Sequence, residues 1–366
     1  MKVYNGSLIF DNIDFKDSSV NQNLDKAYIF RLLKLYDTVK MITKKELNLI
    51  EKEPIDVCIK YIDLTDKTLN REGIKHIFKD QDNEELRYSL RSILKYIPWI
   101  RKIFIIMPND KVKFLKPYEE IKEKIIYVKD KDLLGFDSSN SVAFQFNLYK
   151  MENFGLSKNF IYMDDDYFIG KPLKKSDFFY YDRKKKEIFP FVLTSSFREL
   201  DKRRTLLLYN RLIKKIDKFN PQGGDEYSLS MLNTEKYLIE KYNRTLIHTY
   251  ITHNAIPENI DDLKSMFESI QSYKYINETL FSKIRHPLRL NPHYYNHLFQ
   301  LNINKRKVNS IPHKYFDMEK VNISKLNTAL FCINTCANNI PTKKEYENEK
   351  IVMQKRFPTP TKYEII

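Results

Sequence analysis

Four short apolar runs rich in β-branched residues constrain this chain more than any other feature: IDVCIKY at 55–61, KIFIIMP at 102–108, KIIYVKD at 124–130 and NFIYM at 159–163. Each is too short for a typical helix and reads as a strand that is apolar on both faces. Between them the spacing changes. NEELRYSLRSILKYIPW, residues 83–99, repeats Leu86, Leu90, Ile93 and Ile97 at helical intervals and stops near Pro98. Strands alternating with helices predict an α/β fold, a mostly parallel sheet flanked by helices. In such sheets ligands collect beyond the carboxyl ends of the strands. Two acidic stretches fall at such ends: Asp63 and Asp66 after the first run, and Asp164, Asp165 and Asp166 after the fourth.

The rest of the chain divides around that frame. Residues 1–50 read as a helical N-terminal extension, on the helical spacing of LDKAYIFRLLKLYDTVKMI. Residues 51–366 read as one α/β domain formed from two parts, about 51–190 and 245–366, with a mainly helical insertion at about 191–244. Within the insertion, TLLLYNRLIKKIDKF opposes Leu208, Leu212, Ile216 and Phe219 to Arg211, Lys214, Lys215 and Lys218. A surface helix packing its stripe on the core is the ordinary reading. Contact with an anionic membrane surface is the other.

Charge narrows the partners. Against 48 Asp and Glu stand 63 Lys and Arg, a net charge of +15 that favours anionic ligands. Nucleic acid is not expected: the lysines are dispersed, no aromatic-interleaved basic motif occurs, and the aspartates would repel a phosphate backbone. No stretch of about 18 apolar residues occurs to span a bilayer. Asp11 and Asp14 interrupt the segment where a signal peptide needs continuous apolarity, so a cytoplasmic location is expected. The three cysteines, Cys58, Cys332 and Cys336, are too few for a disulfide framework and read as buried thiols.

A strand that ends in adjacent aspartates offers hard oxygen ligands suited to Mg²⁺ or Mn²⁺, and such an ion would bridge a diphosphate to the protein. Taken alone, the pattern is equally that of a solvated acidic turn. Arg87 and Arg91 lie four residues apart on one helix face. Arg91 is expected to brace the aspartate loop or to touch phosphate, with a structural ion pair as the competing reading. Asp63 and Asp66 are candidates for the donor site.

The chain also resembles a known family. ELRYSLRSILKYIPWIRKIFIIMP, then SNSVAFQ, then GLSKNFIYMDDDYFIGKP are similar to the central signature of the Stealth proteins, bacterial capsular polysaccharide sugar-1-phosphate transferases. Their relatives include the eukaryotic N-acetylglucosamine-1-phosphotransferase. IDVCIKYIDLTD resembles the opening block, THNAIPENIDDLKSMF with FSKIRHP the third, and FCIN with FPTPTKYE the last. Three positions depart from the pattern: Asp164 replaces the usual asparagine, Gln145 the usual glutamate, and Lys60 and Tyr61 stand where tryptophan is customary.

The resemblance implies a Rossmann-like fold of the nucleotide-sugar transferase type. It implies transfer of hexose- or N-acetylhexosamine-1-phosphate from a UDP-sugar to a hydroxyl of a capsular polysaccharide or glycolipid acceptor, with release of UMP. It places the metal pair on Asp165 and Asp166. His253 matches the family's histidine and suits a base or a phosphate hydrogen-bond donor. Arg285 matches an arginine whose planar fork grips a diphosphate, and His286 stands beside it as an assistant or a local hydrogen-bonding residue. Asn140 and Ser141 match the family's Asn-Ser element and are expected at the nucleotide or sugar. A lipid-anchored acceptor would draw the protein to the inner membrane face. The competing readings are a metal-dependent glycosyltransferase that moves the sugar alone, a basic nucleic-acid-binding protein and a scaffold without activity.

Overall fold

The computed structural model of the protein describes residues 42–63, 65–66, 84–136, 138, 140–194, 197–199, 202–213, 224–243, 246–249, 253–282, 286, 288–318, 321–334 and 342–365. Most of the expected 1–50 extension falls outside them. Its end is helix α1 (Lys44–Lys52), opened by a capping box in which Thr43 and Glu46 exchange hydrogen bonds.

The frame follows in chain order: β1 (Ile55–Lys60), α2 (Glu85–Tyr96), β2 (Ile103–Met107), β3 (Ile125–Lys129), α3 (Ser141–Asn147), β4 (Asn159–Asp164) and β5 (Tyr167–Ile169). Helices α4 (Lys202–Ile213) and α5 (Gly224–Tyr242) come next, then β6 (Ile256–Asn259), α6 (Ile260–Ser269), α7 (Pro292–Asn302), β7 (His313–Asp317), β8 (Leu330–Asn334) and α8 (Lys343–Arg356), with shorter pieces between. The main sheet runs β6-β4-β1-β2-β3. Its four sequence-predicted strands are parallel, and β6 joins β4 antiparallel at the edge. Pro257 is tolerated in β6 because an edge strand need not donate every ladder bond.

Alternation along the strands assigns residues to two apolar faces. Val57, Ile59, Ile103, Ile105, Ile161 and Met163 pack with Leu86, Leu90 and Ile93 of α2. Cys58, Phe104, Ile106, Phe160 and Tyr162 pack on the other face with Val142 and Phe146 of α3, Leu263 of α6, and Tyr294 and Leu298 of α7. Burial of each such large side chain contributes about 1.5–3 kcal/mol, so both layers are held firmly on the sheet. The expected α/β architecture, with helices on both faces, is the observed one.

A second sheet, β7-β8-β5, continues from the acidic turn: β8 pairs antiparallel with β5 and parallel with β7. Helix α2 clamps β5 through two serines, as Ser89 donates to the Tyr167 carbonyl at 2.8 Å and Ser92 accepts from the Ile169 amide at 3.0 Å. Gly170 closes the strand. A Cβ there would meet the Thr328 carbonyl oxygen at 2.2 Å, so only glycine lets the two backbones approach.

In the 191–244 region, Thr205 of α4 donates to Glu235 of α5 at 2.7 Å and Tyr209 is buried, while Leu208 and Leu212 are half-buried. Residues 214–219, the basic end of the expected amphipathic stripe, lie outside the described residues. Cys58 and Cys332 are free, buried thiols, and Cys336 lies outside the described residues. Among the described residues no helix is long and apolar enough to cross a membrane.

Candidate active site

Strand β4 ends on Asp164, in register with Lys60 at the end of β1, so the aspartates stand at the carboxyl edge of the parallel sheet. Asp165 and Asp166 form the turn into β5, and all three are half-buried. Tyr162, two residues before Asp164 and on the same strand face, donates its hydroxyl to Asp164 Oδ1 at 2.7 Å. Gln145 of α3 also reaches the Tyr162 hydroxyl. Asp166 Oδ2 accepts from Asn334 Nδ2 at 2.6 Å and from the Cys332 thiol at 3.4 Å, both on β8.

Burial raises the Asp165 carboxyl well above the ordinary carboxylate range, and the charges of Asp166, Glu85 and Asp164 push it further. Asp166 is raised to about 7 by burial and by Asp164, against the bonds from Cys332 and Asn334. Ionised carboxylates this close are mutually unfavourable, so the turn favours a proton or a cation.

Two imidazoles interact with Asp164. His253 belongs to the segment leading into β6, and its Nδ1 lies 3.4 Å from the Tyr167 hydroxyl. The residue is exposed, yet its ring sits among Tyr167, Tyr227 and Tyr315. Desolvation lowers its pKa, with Asp164 acting in the opposite sense, so the neutral ring prevails at pH 7. His293, in the first turn of α7, stands with its ring 5.3 Å from that of Tyr162. Burial pushes it down to about 4, Asp164 opposing and His297 and His253 reinforcing the shift. The five side chains Tyr162, Asp164, Tyr167, His253 and His293 thus form one connected group.

The other sequence candidates are distributed differently. Arg91 neither braces the aspartate loop nor faces it. Its Nε and Nη2 fork onto Glu364 at 2.9 and 2.6 Å, and Nη1 donates to the Phe357 carbonyl at 2.8 Å. The helix turns Arg91 toward the C-terminal segment, where a buried guanidinium finds its carboxylate, so the structural ion pair is the correct reading. Arg87 bridges Glu84 at 3.1 Å and Glu364 at 3.8 Å. Asp63 is buried and accepts from Thr65 N and Oγ1 and from Lys113 Nζ at 2.8 Å; burial would raise its pKa, but those partners hold it below the usual value. Asp66 accepts from Asn109 at 2.8 Å. Asn140 caps α3 through Val142 N at 3.1 Å and donates to the Ser282 carbonyl at 3.1 Å, with Ser141 beginning the helix. Arg285 lies outside the described residues. His286 accepts from the Leu288 amide at 3.1 Å.

Sequence reasoning did not single out Tyr162, Tyr167, His293, Asn334 or Glu85. Period-2 spacing from Asp164 points to Tyr162 once the strand is recognised. His293 carries no comparable signal.

Among the described residues no group of three or more His, Cys, Asp and Glu is disposed to hold a metal ion. The crowded Asp165 and Asp166 carboxyls nonetheless fit a hard cation that takes its remaining ligands from water and substrate phosphates, which is how Mg²⁺ is usually bound.

A parallel sheet with acids and imidazoles gathered at its carboxyl edge defines the class: an α/β enzyme. Residues 79–187 match the model of Stealth protein CR2, conserved region 2. It is 28% identical over 300 residues to a capsular polysaccharide phosphotransferase of Neisseria meningitidis serogroup B, covering 77% of this chain and 72% of that one. A capsular polysaccharide phosphotransferase of Haemophilus influenzae is 34% identical over 52% of this chain and 46% of its own length. Human N-acetylglucosamine-1-phosphotransferase subunits alpha/beta is 35% identical over 29% of this chain and 8% of its own. The chain therefore spans less than half of the latter two relatives. Among solved structures, an inositol-1-phosphate CTP transferase from T. maritima aligns over 84% of this chain and 98% of its own at 12% identity and a TM-score of 0.33, a likeness too low to carry an argument.

Proposed function

We propose that the chain transfers hexose- or N-acetylhexosamine-1-phosphate from a UDP-sugar to a hydroxyl of a growing capsular or cell-surface polysaccharide, releasing UMP. The observation that carries this reading is the pair of raised carboxyls, Asp165 and Asp166, next in the chain to Asp164 and Tyr167, which interact with a neutral His253. Phosphoryl transfer asks a protein for position, charge stabilisation and a proton acceptor, with little covalent chemistry of its own.

In the proposed reaction the acceptor hydroxyl attacks the sugar-bearing phosphorus, a new P–O bond forms, the bond to UMP breaks, and the hydroxyl proton passes to the enzyme. His253 is the proposed proton acceptor, since its lowered pKa leaves it unprotonated and Tyr167 fixes its ring. Asp166 competes for the role, because a carboxyl near 7 titrates in the working range. Asp165 and Asp166 would hold Mg²⁺ or Mn²⁺, which when bound supplies charge neutralisation on the diphosphate. Asn334 and Cys332 orient Asp166, and Tyr162 orients Asp164. Arg285 is kept as the proposed diphosphate grip, on its motif position alone. Peripheral contact with the inner membrane face, through the basic helix expected over about 205–219, would bring the enzyme to a lipid-anchored acceptor.

The test incubates the purified protein with a panel of UDP-sugars, an oligosaccharide acceptor and Mg²⁺, and follows nucleotide release by mass spectrometry. UMP is expected. UDP in its place would assign the chain to glycosyl transfer of the sugar alone, and no release with any UDP-sugar would overturn the proposal.

A further inference from the structure

His293 is fixed from several sides. Asn291 caps α7 by accepting from the Tyr294 amide at 3.1 Å, and its own amide donates to Thr234 Oγ1 at 2.8 Å. One turn further on, Asn296 donates to both carboxyl oxygens of Glu258 in β6, at 2.8 and 2.7 Å, and ties the helix to the edge of the main sheet. These bonds fix the backbone of α7 that carries His293. Its Nε2 is buried and has no hydrogen-bond partner among the described residues. Tyr162, against which the ring packs, gives its hydroxyl proton to Asp164 and so donates none to that nitrogen.

A desolvated ring nitrogen left unpaired costs stability, and such a group in a folded protein calls for an explanation. An apolar ring would fill the same space without that cost. The electrostatic links of His293 to Asp164 and His253 place it in the group where the reaction is proposed to occur. A neutral imidazole provides one donor and one acceptor, which is the complement of a hydroxyl and a poor match for a hard cation.

We propose that His293 is a substrate-contacting, specificity-determining residue whose Nε2 hydrogen-bonds a hydroxyl of the sugar being transferred or of the sugar receiving it. This rests on the sugar-1-phosphate transferase reading and adds to it a residue that recognises the carbohydrate rather than the nucleotide. A site built to bond a hydroxyl discriminates strongly against analogues lacking it, because the protein group is otherwise buried unpaired.

The experiment compares wild type with His293→Phe, which keeps the ring and removes both nitrogens, and His293→Gln, which returns a polar atom near the Nε2 position; His293→Leu replaces the Phe variant should it not fold. Binding of UMP, of UDP-hexoses and UDP-N-acetylhexosamines, and of an oligosaccharide acceptor is measured by calorimetry, and KM and kcat for both substrates by UMP release. The expected result is a loss of tenfold or more in affinity and KM for one substrate in His293→Phe, with UMP binding within twofold of wild type and most of the loss restored in His293→Gln. An effect on the UDP-sugar identifies a donor hydroxyl, and an effect on the oligosaccharide an acceptor hydroxyl. If His293→Phe binds and turns over both substrates within twofold of wild type, or weakens UMP as much as UDP-sugar, the inference falls alone. If wild type binds neither sugar ligand, it falls together with the proposed function.

Discussion

Beneath α2, Arg91 forks onto Glu364, and beside α6 Arg306 forks onto Asp262 with its guanidinium 3.5 Å above the Phe189 ring. In both places a buried charge meets an opposite charge in good geometry. At the end of β4 the arrangement is the reverse: three aspartates crowd together with Glu85 nearby, and no ion pair among the described residues includes any of the three. The two clamps are complete as the chain folds, whereas the turn is electrostatically incomplete. Uncompensated charge costs stability, and its position at a sheet edge where ligands collect makes this turn the candidate site.

The comparison breaks most decisively at the turn. Replacing His253 by Ala, or Asp166 by Ala, is expected to lower kcat/KM for UMP release by about 10²–10⁴-fold while circular dichroism and Tm stay near wild type. Full activity in both variants would sink the site assignment. At the Arg91 clamp the expected effect lies in stability: Glu364→Gln leaves a buried guanidinium without its counter-charge, which costs about 3–5 kcal/mol in urea unfolding and spares the kcat of the folded fraction. A loss of kcat with unchanged stability would move that clamp into the active site.

Gly170 joins the two regions, because its close approach to Thr328 holds β5 against β8 and so Asp166 against Asn334. Gly170→Ala should cost about 1–3 kcal/mol through overpacking and lower activity as well, since the Asn334 contact loosens with the strand. An unaltered melting curve would show that the backbones have room to part.

The smallest effect is a pH dependence. Asp166 has a folded pKa of about 7, above the unfolded value near 3.9, so the folded chain holds a proton that the unfolded chain has released between those values. Stability is then full below the unfolded value and falls as pH rises toward 7. Asp166→Asn should flatten that fall, and Mg²⁺ at pH 8 should raise the Tm of wild type more than that of the variant. Parallel Tm-against-pH curves for the two proteins would refute the crowding of charge. Glu364 runs the other way: burial opposes it, but the Arg91 bond lowers its pKa, so its contribution is present above the ordinary carboxylate range and lost as pH falls through the lowered value.

Part of this organisation is legible in the residues alone. The four buried strands and α2 are, because each carries its own periodicity, and the acids at a strand end are, because strand direction fixes which edge they occupy. Strand β6 is not, as IPEN is short and contains proline. Arg91 shows why side-chain roles are harder than elements. Its intrahelical neighbours are visible in the sequence, yet its partner Glu364 lies 273 residues away. Asn334 and Cys332 reach Asp166 across 168 and 166 residues, and a local pattern cannot report a contact between distant segments.

The α/β class, the parallel strands and the acidic turn follow from the order of residues, through periodicity and adjacency within a few positions. Which charges are neutralised is set by the packing of the folded chain. It closed Arg91 onto Glu364, left Asp164, Asp165 and Asp166 without an ion pair among the described residues, and set His253 and His293 beside them. Neutralisation depends on distance through space, and chain packing sets that distance between residues that no local motif connects.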